Sequence, residues 1–477
     1  MSNLHITDSF FYRHRYLVGY SLVAIGLIAV LLFAGFYLPG GLSTAEMQSA
    51  IKSDSINFFD FNTFAITNLP YHLLQKLSLD TFGLSIISIK LPSIILAFFS
   101  AIGMALLLGR WFKRNISILA SLIAVTTGQF LFIAQDGTPG ILYLFWAVWL
   151  MLLAATVITR PKRKTILKIS FFIMAALSLY TPLSIYILIA MLTSTLLHPH
   201  LRYLLRQLSK PKLIMGLVFA AILTIPLVMA CWKDISLALT LLGVPSQLPD
   251  FMTNLSSLGS QYFGFTRPKG ITMITPVFAL GSMLIIGLGI FNTIKNHSTA
   301  RSYIILTWML CLAPFIILNP SFNIIMFLPL VLLLASGLKY LLSYWYNLFP
   351  NNPYARIGGL IPIIILVGAL VISGADRYLY GYRYDPDIAP LFSRDINLIP
   401  KDTKKLIVSL NEIPFFGLIE KYNKNIKIST DISTNDESFM ITKEAKKDFA
   451  GYKIDKIITT SSQKNSDRFY LYKKATD

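Results

Sequence analysis

The sequence predicts an all-α polytopic membrane domain of about eleven transmembrane helices, followed by a small C-terminal α/β domain outside the membrane. Of the 477 residues, 55% are hydrophobic and 14% charged, whereas soluble domains carry about 25% charged residues. Apolar runs of about 20 residues, the length that crosses a bilayer core, recur from residue 16 to residue 373. After Asp376 the chain turns polar and holds 14 of the 23 acidic residues. A soluble reading of the same runs would need one core far larger than folded domains build.

The expected spans, in order, are Tyr16–Leu38, Ile86–Leu108, Ile116–Ala134, Gly140–Ile158, Ile166–Tyr180, Leu183–Leu197, Leu213–Ala230, Ile274–Ile294, Tyr303–Leu318, Ile324–Leu341 and Ile357–Ser373. The first run is too long for a signal-peptide core, and no small-residue cleavage site follows it, so it reads as a retained span. The fifth and sixth are short and split by Thr181-Pro182. Together they exceed one crossing, which predicts a tight turn between two spans.

Charge orients the spans. Alternate loops on one side hold 18 basic residues: Arg13, Arg15, Arg110, Lys113, Arg114, Arg160, Lys162, Arg163, Lys164, Lys168, Arg202, Arg206, Lys210, Lys212, Lys295, Arg301, Lys339 and Arg356. The other side, up to residue 376, holds 6: Lys52, Lys76, Lys90, Lys233, Arg267 and Lys269. By the positive-inside rule the first set is cytoplasmic, which puts the N-terminus inside and the C-terminal domain outside a cell membrane. The net charge of +19 is thus spread over short loops, and nucleic acid is excluded as the partner. Cys231 and Cys311 lie at or within apolar segments and form neither a disulfide framework nor a metal motif.

The carboxylates mirror the bases. Through residue 376 they are Asp8, Glu46, Asp54, Asp60, Asp80, Asp136, Asp234, Asp250 and Asp376, and all but Asp8 fall on the external side. Carboxylate chemistry is therefore expected at the outer face. Two external loops are long, about residues 39–85 and 231–273. The first mixes polar residues with Phe58, Phe59, Phe61 and Phe64, a pattern for helices lying in the interface. Both loops are too apolar for disorder. The domain boundary is set at 375/376. Beyond it, β-rich runs at Lys405–Leu410, Asn425–Ser429, Ser438–Thr442, Lys456–Thr460 and Arg468–Tyr472, with a helical pattern over Pro414–Tyr422, predict a small α/β domain. It carries no phosphate loop, no GxSxG and no metal cluster.

The most informative order of motifs starts after the first span with Gly40-Gly41-Leu42-Ser43-Thr44-Ala45-Glu46-Met47. Asn68-Leu69-Pro70-Tyr71-His72-Leu73-Leu74 follows, then Ile89-Lys90-Leu91-Pro92-Ser93, and the third span ends at Gln135-Asp136-Gly137-Thr138-Pro139-Gly140. This order resembles the GT-C superfamily of polytopic glycosyltransferases, in particular the branch of protein O-mannosyltransferases, aminoarabinose transferases and bacterial lipopolysaccharide transferases. The likeness covers roughly residues 15–375. It implies an inverting transfer of a sugar from a polyprenyl-phosphate donor to a lipid, glycan or protein acceptor at the outer face, with a divalent metal ion as an optional helper. Such a transfer needs a carboxylate to take the acceptor's proton and cationic groups to steady the leaving phosphate. Relatives carry Asp-Glu where this chain has Ala45-Glu46, so the first carboxylate of the pair is missing.

On this resemblance Glu46 is the expected general base or metal ligand, and Asp136 orients the acceptor or shares the metal. His72, Arg267 and Lys269 bind substrate, the last two as a phosphate clamp. Asp54 and Asp60 are the substitute acids. Each residue also has a plainer reading. Ser43-Thr44-Ala45-Glu46 is a capping box for a helix N-terminus. Asp136 is a residue of a helix-start turn, His72 an interfacial residue, and Arg267 and Lys269 lie in a solvated loop or against lipid headgroups. From a different class, a non-catalytic carrier or assembly scaffold for lipid-linked sugars would use the same fold, and Ala45 favours it. Against it, the chain shows no clear internal repeat and its span charges lie near helix ends.

Overall fold

A computed structural model describes residues 14–37, 41–57, 60–159, 165–207, 210–245, 247, 249–264, 277–383, 391–392, 395–400, 402–422, 426–431, 438–447, 449, 451–459 and 467–474. Its helices are α1 (Arg15–Leu32), α2 (Thr44–Asp54), α3 (Leu69–Phe82), α4 (Ile86–Trp111), α5 (Arg114–Val125), α6 (Gly128–Gln135), α7 (Ile141–Thr159), α8 (Thr165–Ser178), α9 (Ile185–Leu197), α10 (Pro199–Arg206), α11 (Lys210–Lys233), α12 (Ile235–Leu242), α13 (Phe251–Phe263), α14 (Leu280–Lys295), α15 (Ala300–Leu318), α16 (Phe327–Leu348), α17 (Pro353–Gly358), α18 (Leu360–Tyr378) and α19 (Ile413–Tyr422). Where the expected spans are described they fall largely on helices, the third on two of them and the eighth only from Leu280 on. Among the described residues, six helical stretches are long and apolar enough to cross a membrane, and a seventh if α5 and α6 count as one broken span. The chain is a multi-pass membrane protein.

The third run departs from a straight span. It bends by 61° between α5 and α6, where Thr127 leaves the helix and its hydroxyl caps α6 by accepting from Phe130 N–H. Neighbouring Thr126-Thr127 backbone fits against Gly374 of α18, where a Cβ would come 2.3 Å from the Thr126 carbonyl. The bend brings the end of α6 back toward α4. At Thr181-Pro182 the chain makes the expected turn between α8 and α9.

Small residues let α14 and α16 close on each other. A Cβ on Gly289 would sit 1.9 Å from the Leu333 carbonyl oxygen, and one on Gly337 would sit 2.0 Å from that of Ile285. Close backbone approach of this kind is how helices associate where lipid removes the hydrophobic drive between them. The main buried cluster runs through α4 to α7 and α14 to α16, with Trp308 and Phe130 fully enclosed.

The C-terminal part forms a five-stranded sheet of β1 (Lys405–Ile407), β2 (Lys427–Ser429), β3 (Ser438–Thr442), β4 (Tyr452–Thr459) and β5 (Asp467–Lys474), in the order β2-β1-β3-β5-β4. β1 is parallel to β2 and β3, and β5 is antiparallel to β3 and β4. All five strand signals and the helix signal in the sequence fall on these elements. Alternation along the strands serves two cores. Leu406 and Met440 face α19 in one cluster; Ile407, Phe439 and Ile441 face Tyr470 and Tyr472 in the other. β4, at the edge, is mostly exposed and carries Lys453, Asp455 and Lys456, charges that discourage pairing with another chain.

The first of these cores also takes in Leu42, Met47 and Ala50 around α2, Leu79 of α3 and Ile86 and Ile89 of α4. The sheet domain is thus packed onto α2 and α3 through α19. A polar latch closes the seam. Lys421 Nζ lies 2.5 Å from Asp54 Oδ1, and the Tyr422 hydroxyl is 2.9 Å from Asp54 and 3.0 Å from Asp80.

Candidate functional site

The site forms where the start of α2, the start of α4 and the end of α6 meet under the sheet domain. α2 needs its first free N–H groups satisfied. Ser43 accepts from Glu46 N–H at 3.2 Å, and Glu46 Oε2 accepts from Ser43 N–H at 2.8 Å. This is the capping box that the sequence spelled. The carboxylate does more than cap, because its other oxygen turns inward. Glu46 Oε1 accepts from Gly137 N–H at 2.7 Å and lies 3.2 Å from Lys90 Nζ. Both Glu46 and Lys90 have no exposed side-chain surface. Gly137 is required at this contact, since a Cβ there would stand 2.8 Å from Ile89 Cγ2 and 3.2 Å from Glu46 Oε1.

Lys90 is the residue that the sequence reading missed as a site member. It donates to Gln135 Oε1 at 2.8 Å and its ammonium stands 5.7 Å from the Phe392 ring centre. Its signal was present: a lone cation inside an otherwise apolar run demands a partner. Phe392 also ties the start of α2 down, its carbonyl accepting from Gly41 N–H at 2.9 Å. Asp395, half-buried in the same C-terminal segment, feels Lys90 and Arg468, but burial dominates and pushes its carboxyl above the usual range.

Asp136 ends α6 and keeps partial exposure. Thr138 Oγ1 donates to its Oδ2 at 2.5 Å. Its backbone carbonyl accepts from Ser93 Oγ at 2.5 Å, and the Tyr71 hydroxyl donates in turn to Ser93 at 2.8 Å. Burial, and next the negative charge of Glu46, push the Asp136 carboxyl well above the usual carboxylate range. Glu46 and Asp136 therefore share one site, linked through Gly137. Their chemistry differs: Glu46 has both oxygens engaged by N–H donors, whereas one side-chain hydroxyl holds Asp136.

The other expected residues fall elsewhere. His72 is not on an open face, as a substrate contact would be. It is 3% exposed, wedged between α2 and α3, with Nδ1 2.8 Å from Ser53 Oγ. Gln75 anchors the same network: its Oε1 accepts from Ser49 and Ser53, and its Nε2 donates to the Ile89 and Gly137 carbonyls at 2.9 and 3.0 Å. With the Ser53 proton given to Gln75, His72 carries its proton on Nδ1 and donates it to Ser53. Burial and the nearby Lys52 charge lower its pKa to about 4, so the ring is neutral at pH 7. Asp54 belongs to the latch with Lys421 and Tyr422, and Asp60 lies exposed in the turn before Phe61–Phe64. Arg267 and Lys269 lie outside the described residues.

A divalent metal does not fit between Glu46 and Asp136 as they stand. The Lys90 ammonium already holds the cation position beside Glu46, and among the described residues no three His, Cys, Asp or Glu side chains group as ligands.

No protein-family model and no curated protein matches the chain. Solved structures do. The crystal structure of ArnT from Cupriavidus metallidurans in the apo state is similar with a TM-score of 0.54 at 12% identity, over 96% of this chain and 98% of that one. Its complex with undecaprenyl phosphate gives 0.53, also at 12% identity, over 95% and 98%. The Archaeoglobus fulgidus oligosaccharyltransferase tethered to an acceptor peptide gives 0.50 at 13% identity, over 88% of this chain and 64% of that one. ArnT and the oligosaccharyltransferase are GT-C superfamily members. The chain has a GT-C-like fold. At these identities the likeness is one of fold, and the residues described above are read from this chain alone.

Proposed function

We propose that this chain is a membrane glycosyltransferase that moves a sugar, with inversion, from a polyprenyl-phosphate donor to a lipid, glycan or protein acceptor. The observation that carries it is the convergence of Glu46, Lys90 and Asp136 at one end of a GT-C bundle. The undecaprenyl phosphate of the ArnT complex and the acceptor peptide of the oligosaccharyltransferase support a lipid donor and a separate acceptor. Eleven spans, the N-terminus inside and residues 376–477 as an extracytoplasmic domain complete the proposal. They rest on the 18-to-6 split of basic residues and the placement of the acids.

In this reading Asp136 is the general base. The acceptor atom attacks the anomeric carbon as the bond to the phosphate oxygen breaks; the acceptor proton passes to Asp136, and the phosphate leaves with the electron pair. A raised pKa suits the task, because a base works best when its pKa approaches the working pH. Glu46 and Lys90 are positioning residues: buried, they fix Gly137 and so the carboxylate next to it. Arg267 and Lys269 are the candidates for the phosphate on sequence grounds. The test is sugar release from a radiolabelled polyprenyl-phosphate donor in vesicles holding the purified protein. Asp136→Asn should slow it about 10²–10⁴-fold.

Ala45 favours a second reading, a carrier or assembly scaffold on the same fold. The side chain at this position is exposed at the start of α2, and no carboxylate stands there. Donor binding without turnover by the wild type, across lipid, glycan and peptide acceptors, would select it.

A further inference from the structure

A polar cavity lies at the other end of the bundle from the Asp136 loop. The Asp136 loop sits beside Ile324, since a Cβ on Gly140 would lie 3.6 Å from it. From there α15 runs back from Leu318 to Arg301, 17 residues or about 25 Å at the α-helical rise. The cavity opens between α14, α15 and α16 with a volume of ≈ 120 Å³. Its walls follow from the glycine contact described above. Once Gly289 and Gly337 bring the backbones together, Asn292 Nδ2 donates to Ser336 Oγ at 2.9 Å, and Thr293 Oγ1 lies 3.3 Å from the same hydroxyl. That makes one rigid, hydrogen-bonding wall.

Two cations complete the lining. Arg301 is held by the Trp111 carbonyl and lies 5.0 Å over the Phe112 ring. Lys339 follows Ser336 by one helical turn. It is half-buried, and among the described residues no hydrogen bond or ion pair holds its ammonium. The charges that act on it, Arg301 and Lys113, are both positive. Among the described residues, no carboxylate lines the cavity. A loop that merely set topology would leave its bases in solvent; here two cations are turned into a cleft between helices with no counter-charge among the described residues. Charged groups so placed mark ligand sites, and basic pockets between spans take phosphorylated groups.

We propose that this cavity binds a phosphate-bearing anion, gripped by Arg301 and Lys339, at the end of the bundle that the basic residues assign to the cytoplasm. A lipid headgroup and a soluble phosphate compound share that chemistry. The site stands apart from the transfer reading and does not need it.

The test uses the full chain, delipidated in a neutral detergent. Binding of inorganic phosphate is measured by microscale thermophoresis, as is binding of phosphatidylglycerol in mixed micelles, with diacylglycerol as the phosphate-free control. Wild type should bind a phosphate probe and not diacylglycerol. The double variant Arg301→Gln/Lys339→Gln should lose about 10-fold or more in affinity, what one charge-assisted hydrogen bond contributes. Lys339→Arg, which keeps the charge, should retain binding and guards against misfolding. Exposed Lys212, changed to Gln, should leave affinity unchanged. Binding of phosphatidylglycerol alone assigns a lipid headgroup; binding of both probes assigns the phosphate itself. The proposal is overturned if neither probe binds, if the double variant binds like wild type, or if Lys212→Gln loses as much as the double variant.

Discussion

Glu46→Gln is the substitution whose outcome the geometry fixes best. As a simple helix cap, Glu46 would contribute about 0.5–2 kcal/mol, and Gln would replace it well. The structure says otherwise. Oε1 serves both Gly137 N–H and Lys90, and Oε2 serves Ser43 N–H. Gln offers one acceptor oxygen, so its amide NH₂ must face a donor in either orientation, leaving a buried N–H unsatisfied at about 1–3 kcal/mol. Lys90, with no exposed surface, loses the one ion-pair partner it has among the described residues, and breaking a buried pair from one side costs about 3–5 kcal/mol. These terms overlap, so the expected loss is about 4 kcal/mol. Denaturant titration of the detergent-solubilised protein measures it, alongside Lys90→Met and the double variant. Lys90→Met alone should be equally damaging, and the pair together should recover about 1–3 kcal/mol relative to the sum. A Glu46→Gln loss below about 2 kcal/mol, or strictly additive variants, would reduce Glu46 to a cap. The buried ion pair would then play no part in holding the Asp136 loop.

Asp136→Asn should slow transfer about 10²–10⁴-fold while leaving the protein at least as stable as wild type at pH 8. A carboxyl whose folded pKa is raised binds its proton more tightly in the folded state, so its stabilising contribution is present at low pH and lost as pH rises through the folded value. For the same reason wild-type transfer should fall on the acid side from a pH above the usual carboxylate range, which a pH–rate profile would show and an acid limb near pH 4 would contradict. Ala45→Asp should be tolerated, because the position is exposed in the first turn of α2, where a negative charge adds about 0.3–1 kcal/mol. A large gain in transfer there would move the base role from Asp136 to residue 45. Tyr422→Phe/Lys421→Ala should loosen the sheet domain from α2 at a stability change of only about 0.2–1 kcal/mol for the half-exposed ion pair. Hydrogen exchange in residues 44–54 reads this out, and unchanged protection would show that the apolar seam alone suffices.

The helices and strands were legible because they rest on local periodicity. Apolar runs marked the bundle, and period-2 β-rich runs marked each strand of the sheet. The capping box at Ser43-Thr44-Ala45-Glu46 was legible for the same reason, as donor and acceptor are three residues apart. What the sequence hid is long-range. The Lys90–Glu46 pair spans 44 residues and the Gly137–Glu46 bond 91, separations that no local pattern encodes. The break at Thr126-Thr127 was hidden as well, because both halves are apolar and the bend depends on packing against Gly374. His72 was misplaced for a related reason. Ser49 and Ser53 on α2, and His72 and Gln75 on α3, occur at helical spacing, but a polar stripe reads alike whether it faces water or a second polar stripe.

The buried ion pair also bears on why the site tolerates alanine at residue 45. A pair of this kind is a weak source of stability, since hydrophobic residues of similar volume often do as well. Its value lies in register. Glu46 links three segments that no secondary structure joins: the start of α2 through Ser43, α4 through Lys90, and the end of α6 through Gly137. Slipping any of them by one residue would bury an uncompensated charge. The carboxylate at position 46 is therefore committed to architecture, and the exposed position beside it lacks an acid. The carboxylate held by a single side-chain hydroxyl, with partial exposure and a raised proton affinity, is Asp136. If the chain transfers sugar, the chemistry has moved from the start of α2 to the end of α6, with Glu46 and Lys90 as the frame that holds it.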